Sequence, residues 1–160
     1  MSPRAAWRLE TLGFDHVYDY TAGKADWASF GLPLEGHDAS RPRAASIARA
    51  DPPTCRLDER VAEVAARLPD DWDVCVVTND ENVVLGMLGR RALRSHENAR
   101  VEEAMTTGPS TIRPNTRLDA IAKRMRDQNL TRVLVTRSDG VLVGVLRRED
   151  VDATAGETAS

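Results

Sequence analysis

The second half of this chain is written twice. Thr54–Leu93 and Thr111–Val151 run through one order: a Thr-x-Arg opening, an amphipathic helix, a polar break, a β-rich run, a hairpin turn, a second β-rich run ending in Gly-x-Leu, and a basic helix start. Thr54-Cys55-Arg56 aligns with Thr111-Ile112-Arg113, and Val83-Val84-Leu85-Gly86-Met87-Leu88 aligns with Val141-Leu142-Val143-Gly144-Val145-Leu146. The first pair stands 57 residues apart and the second 58, so one residue enters between the helix and the first hairpin strand. A unit of about forty residues is too small to close a core alone, so the two copies are expected to bury their apolar faces on each other.

Within each copy the periodicity changes from helix to strand. Val61, Val64, Ala65 and Leu68 form one helical stripe, and Leu118, Ile121, Ala122 and Met125 form its counterpart. Asp58 is placed to cap the first helix, and Asn115 or Thr116 the second. Pro69-Asp70-Asp71 breaks the first helix. Val74–Thr78 and Val83–Leu88 read as strands joined by Asn79-Asp80-Glu81-Asn82, and Arg132–Thr136 and Val141–Leu146 as strands joined by Ser138-Asp139-Gly140. The strands are apolar at consecutive positions, which predicts cover on both faces. Short helical stretches are expected at 89–95 and 100–105, and a last helix from Arg148 to Val151 with a frayed tail from Ala153.

The first half carries less pattern. Residues 3–12 read as a helix closed by Gly13, His16–Tyr20 as a short strand, and Gly23–Phe30 as a second helix. Gly36–Pro53, rich in Pro, Ala, Arg, Asp and Ser, reads as a linker.

Composition excludes several classes of function. Hydrophobic residues at 41% and charged residues at 29% of 160 suit a packed core with a solvated surface. A net charge of −3 with a pI near 5.6 gives no basic field to recruit a nucleic acid. No apolar run approaches the roughly 18 residues of a membrane span, and Met1-Ser2-Pro3-Arg4 does not begin a secretion signal, so a cytoplasmic protein is expected. Cys55 and Cys75 could form a disulfide, but a cytosolic chain favours two buried thiols. His16, His37 and His96 lie in three separate segments, so neither a metal site nor a catalytic base follows. Trp7, Trp27 and Trp72 read as packing residues, with Trp27 anchoring the N-terminal segment on the repeats.

Each copy resembles a CBS motif, and the pair resembles a CBS tandem, or Bateman module. The likeness rests on Met105-Thr106-Thr107-Gly108-Pro109-Ser110-Thr111-Ile112, on Arg132-Val133-Leu134-Val135-Thr136 with Asp139-Gly140, and on Gly144-Val145-Leu146-Arg147-Arg148-Glu149-Asp150. Residues 2–36 resemble the C-terminal tail of a rhodanese domain, through Leu12-Gly13-Phe14, Val17-Tyr18, Gly23, Trp27 and Gly31-Leu32-Pro33. In rhodaneses a nucleophilic Cys precedes a helix-opening Arg by five residues. With Arg4 in that position the nucleophile would fall before Met1, where an upstream start codon could restore it, so the segment is expected to lack sulfur-transfer chemistry. The boundaries are then 1–36 for this fragment, 37–53 for the linker, 54–107 and 108–153 for the two CBS motifs, and 154–160 for a flexible tail. The fold class expected is α/β: two β-α-β-β-α repeats packed as a pseudo-twofold pair, with a small α/β appendage.

The resemblance implies a non-enzymatic regulatory module whose inter-repeat cleft binds an adenosine-type ligand: AMP, ATP or S-adenosylmethionine. In the family's Gly-x-x-Thr/Ser-x-x-Asp motif the Asp accepts from both ribose hydroxyls. Here Asp150 keeps that position and Arg147 replaces the Thr/Ser, where a guanidinium suits phosphate. Gly89 and Ala92 stand at the two positions in the first copy, so at most one site is complete. Asp150 could instead cap the last helix. Thr111 and Ile112 of the opening strand, and Arg132 and Val133 of the hairpin strand, would meet the base through backbone groups or line the cleft. Arg113 could face the same cleft, flanked by Arg90, Arg91, Arg94 and Arg148. A homodimer through the CBS helices and an unidentified regulated protein are the partners implied. The alternatives are a ligand-free structural or dimerisation module and a truncated sulfurtransferase.

Overall fold

The computed structural model describes residues 3–18, 23–30, 32–33, 35–36, 41–95 and 98–158. The N-terminal segment holds α1 (Pro3–Thr11) and α2 (Gly23–Ser29). Then come α3 (Ala44–Ile47), β1 (Thr54–Cys55), α4 (Val61–Arg67), β2 (Val74–Thr78), β3 (Val84–Gly89), α5 (Arg90–Ser95), α6 (Val101–Ala104) and β4 (Thr106–Thr107). The second copy follows with β5 (Thr111–Ile112), α7 (Leu118–Asp127), β6 (Arg132–Thr136), β7 (Leu142–Arg147) and α8 (Arg148–Thr158). One of the N-terminal expectations changes. Residues 16–18 form no strand and 19–20 lie outside the described residues, as do His37 and His96.

Both copies build the same sheet. In the first, β1 pairs parallel with β2, and β2 pairs antiparallel with β3. In the second, β5, β6 and β7 repeat that arrangement. The turns are set by side chains: Asn79 Oδ1 accepts from the N–H of Glu81 and Val83, and Asp139 Oδ1 accepts from the N–H of Val141. All five residues of β2 are buried, as consecutive apolar positions require of a strand covered on both sides. On one side Cys55, Val61, Val64, Cys75, Val77, Leu88, Leu93 and Val101 form the first core, and Ile112, Leu118, Ile121, Met125, Val133, Val135, Leu146 and Val151 lie in the second. On the other side Val76, Leu134, Leu142 and Val145 form a third core shared by the two copies. The hairpins join there: Val84 N–H donates to Gly140 O at 3.1 Å and Leu142 N–H to Asn82 O at 3.0 Å.

Arg43–Arg49, within the stretch assigned to a linker (37–53), is part of the fold. Ala44 is fully buried in the second core, and Ile47 and Ala48 pack against it. This segment repeats Arg100–Thr106 at the 57-residue offset. Ser46 Oγ accepts from Arg43 N–H as Glu103 Oε2 accepts from Arg100 N–H. Ala44 N–H bonds Thr116 O as Val101 N–H bonds Glu59 O. Each copy therefore has a lead-in that lies on the body of the other. Residues 100–107 cover the first body, with β4 on β3, and 43–49 cover the second, with Arg49 bridged to Val145.

The helix caps also differ from expectation. Arg60 and Arg117 occupy the N-cap positions, without side-chain cap bonds. Asp58 offers only its carbonyl, to Arg100 Nη1 at 3.2 Å, while Glu59 Oε1 takes the N–H of Arg56 at 2.6 Å. α8 continues through Thr158, past the point where fraying was expected. Trp27 donates to Pro33 O within its own segment, and beside it Asp26 meets Ser138 and Phe30 lies beneath Arg137, two contacts with the repeats.

Candidate functional site

Between the two copies opens a cleft of about 730 Å3, where the loop after α4 faces the start of α8. Its walls carry equivalent positions: Arg90 and Arg148 open α5 and α8, and Asp73 and Thr131 precede β2 and β6. The chemistry at these positions is not equivalent. Arg148 is committed to the second body, donating to Leu130 O at 2.8 Å and Met125 O at 3.0 Å. Arg132 Nη2 meets Asp73 Oδ2 at 2.7 Å, and Arg90 approaches the same oxygen at 3.4 Å. The Arg132–Asp73 pair joins the copies across the cleft, with both side chains mostly buried.

Arg147 is held differently. Its Nη2 donates to the carbonyl of Asp71, and its guanidinium lies over the Trp72 indole, 5.5 Å from the ring centroid. Its carboxylate partner is Glu149, at 3.5 Å on a side chain 73% exposed, which compensates its charge weakly. Arg49 also covers Trp72, at 4.6 Å, and pairs with Asp71 at 2.5 Å. One indole thus carries two guanidiniums, a cation–π arrangement favoured for Trp.

The residues expected at the site are divided by the fold. Arg147 and Arg132 line the cleft. Ile112 and Val133 place their side chains in the second core, leaving only backbone for a ligand. Thr111 is half-buried and its carbonyl accepts from Arg124 Nη1 at 3.2 Å. Asp150 does not line this cleft. Its Oδ2 is buried and has no hydrogen-bond partner, so this oxygen makes no helix cap. Arg113 is a structural clamp, its Nη1 donating to Thr136 O and Oγ1 at 3.1 and 2.9 Å; Arg56 repeats those bonds on Thr78. Asp71, Trp72, Asp73 and Arg49 were not anticipated. Only Arg49 had a usable signal, since the 57-residue offset continues upstream, matching Arg43 to Arg100 and Pro52 to Pro109.

Cys55 and Cys75 are free and buried. The hydrogen bond between them draws the Cys55 thiol below its ordinary range, and the same bond with burial pushes Cys75 far above it. Among the described residues no group of His, Cys, Asp and Glu could hold a metal ion.

Residues 101–153 match the CBS domain family. The architecture agrees with that match, for the chain folds as a CBS pair. It is similar to CBSX2 in complex with AMP, at 18% identity and TM-score 0.66, over 74% of this chain and 98% of that one. It is similar also to the CBS domain pair of protein MJ0100 in complex with 5'-methylthioadenosine and S-adenosyl-L-methionine, at 19% identity and TM-score 0.65, over 74% and 98%. The cytosolic domain of the Mg2+ channel MgtE in complex with ATP shares 24% identity at TM-score 0.63; there the likeness covers 70% of this chain and 48% of that one, about half its length. Curated protein sequences gave no match.

Proposed function

We propose that the chain is a non-enzymatic regulatory module that binds an adenosine-type nucleotide at the start of α8, between its two CBS units. The observation that carries this reading is the orphaned Asp150 Oδ2. A buried carboxylate oxygen without donors costs free energy, on the order of 1–3 kcal/mol, and calls for a partner. Vicinal ribose hydroxyls are such donors. Arg147, three residues earlier, lines the cleft between the units, where a guanidinium suits phosphate. The ligands named for the similar structures, AMP, ATP and S-adenosylmethionine, all carry that ribose.

Ligand binding would bias the relative placement of the units, and a regulated protein would read the shift. Thermal unfolding with millimolar AMP, ATP and S-adenosylmethionine tests the reading. A ligand at about 100 times its Kd stabilises by about 2.7 kcal/mol. Stabilisation that disappears in Asp150→Ala supports it, and no shift with any of the three overturns it.

One observation favours a ligand-free structural module instead: Trp72 and Asp71 already occupy Arg147, and Gly89 and Ala92 lack the polar groups of the other copy. A truncated sulfurtransferase gains no support from the thiols, both buried in the first repeat. It predicts thiocyanate release from thiosulfate and cyanide. A cytoplasmic location accords with the helices, none of which among the described residues is long and apolar enough to cross a membrane. The homodimer proposed through the CBS helices has no large exposed hydrophobic residue there among those described; such residues lie between Trp7 and Leu32.

A further inference from the structure

The loop between α4 and β2 treats the two copies unequally. At the 58-residue offset Asp71 and Trp72 correspond to Asn129 and Leu130. Leu130 packs against the core of its own copy, whereas Trp72 packs against the core that the two copies share. Asp71 goes with it: its carboxylate pairs with Arg49, and its carbonyl accepts from Arg147. Arg49 lies on the lead-in over the second body, and Arg147 closes β7. A loop of the first copy thus grips two arginines on the second, beside a cleft that Asp71, Trp72 and Arg147 line together.

We propose that this loop, 68–73, is a latch on the cleft, and that the ligand which releases it carries phosphate. The inference rests on the nucleotide reading above and specifies its ligand. The latch is built from exchangeable contacts. Asp71 is 59% exposed in its pair with Arg49, and exposed ion pairs contribute little. Arg147 is bound to a neutral carbonyl and to an exposed Glu149, so its charge is only weakly compensated. A phosphate offers several anionic oxygens in the bidentate geometry a guanidinium prefers, and it displaces a single carboxylate and a carbonyl. Adenosine brings no charge to make that exchange. S-adenosylmethionine brings one carboxylate for that exchange, but with it an ammonium and a sulfonium cation that the guanidiniums repel, so the exchange is less favourable than with phosphate. The phosphorylated nucleosides are therefore the ligands that open the latch, with Asp71 as their intramolecular competitor.

Isothermal titration with AMP, adenosine and S-adenosylmethionine, on the wild-type chain and on Asp71→Ala, tests this. Expected are AMP binding at least about tenfold tighter than adenosine or S-adenosylmethionine, and a severalfold gain for AMP in Asp71→Ala. In a Trp7→Phe/Trp27→Phe background Trp72 is the one remaining indole, and its emission should change on AMP addition and not on adenosine addition. Adenosine or S-adenosylmethionine binding as tightly as AMP overturns the latch while leaving the nucleotide reading intact. So does an AMP affinity that stays the same in Asp71→Ala. Absence of binding by all three probes overturns both.

Discussion

The backbone of Arg49 pairs with that of Val145: Arg49 N–H donates to Val145 O at 2.9 Å, and Val145 N–H returns a bond to Arg49 O at 3.1 Å. The residues lie in different copies of the repeat, and the pairing brings a backbone against Gly144. A Cβ at 144 would meet the Arg49 carbonyl oxygen at 2.7 Å. At the equivalent Gly86 the nearest atom is the Met105 sulfur, the end of a flexible side chain, with the Thr106 carbonyl at 3.0 Å. Gly144→Ala is expected to cost about 2–3 kcal/mol, and more than Gly86→Ala, in urea unfolding. Equal costs would show that the lead-in yields.

Ala44→Asp tests whether the first copy's lead-in holds the second body together. Ala44 is fully buried in that core, and a carboxylate there has no partner. The loss should exceed about 3 kcal/mol. Amide exchange should show α7 and β6 losing protection before β2. Loss confined to the first copy would contradict the packing described.

The clamps Arg56 and Arg113 each satisfy a buried threonine and neighbouring carbonyls. Arg56→Met and Arg113→Met should each destabilise by about 1–3 kcal/mol. Because they serve different copies, the double variant should show the sum to within about 0.5 kcal/mol. Strong non-additivity in denaturant unfolding would mean that the two clamps communicate.

Acid should act on the first copy. The Arg67 guanidinium, and then the Arg56 N–H, hold the Glu59 carboxyl below its ordinary range. Its folded-state pKa is depressed, so its stabilisation is present above the unfolded pKa of about 4.3 and is lost as pH falls through the lower, folded one. Thr116 stands at the equivalent position and carries no such charge. Glu59→Gln should therefore flatten the fall in stability below about pH 5, followed by urea midpoints at stepped pH. An unchanged acid limb would rule out this carboxylate as its source.

Much of the fold was legible because apolar stripes and turn residues recur at one offset. Val61, Val64, Ile121 and Met125 announce their faces, and Asn79 and Asp139 their turns, since both signals are local. The lead-in Arg43–Arg49 was not legible as structure. Its helix spans four residues, too few to show a stripe, and its one fully buried side chain is an alanine. The expected helix caps miss because each helix begins later than its candidate: Arg60 and Arg117 take the N-cap positions, past Asp58 and past Asn115 and Thr116. At the site, Arg147 and Arg132 were legible by position. Trp72 and Asp71 were not, because they sit in a break whose partners come from the other copy and from upstream of the repeat.

The reciprocal exchange of lead-ins has a consequence for how such a chain arises. A lone copy would carry a segment that fits only a neighbour, so its smallest complete form is two polypeptides trading arms. Duplication in tandem makes that trade intramolecular and independent of concentration, and leaves each half free to differ where the halves meet, as Trp72 and Leu130 do.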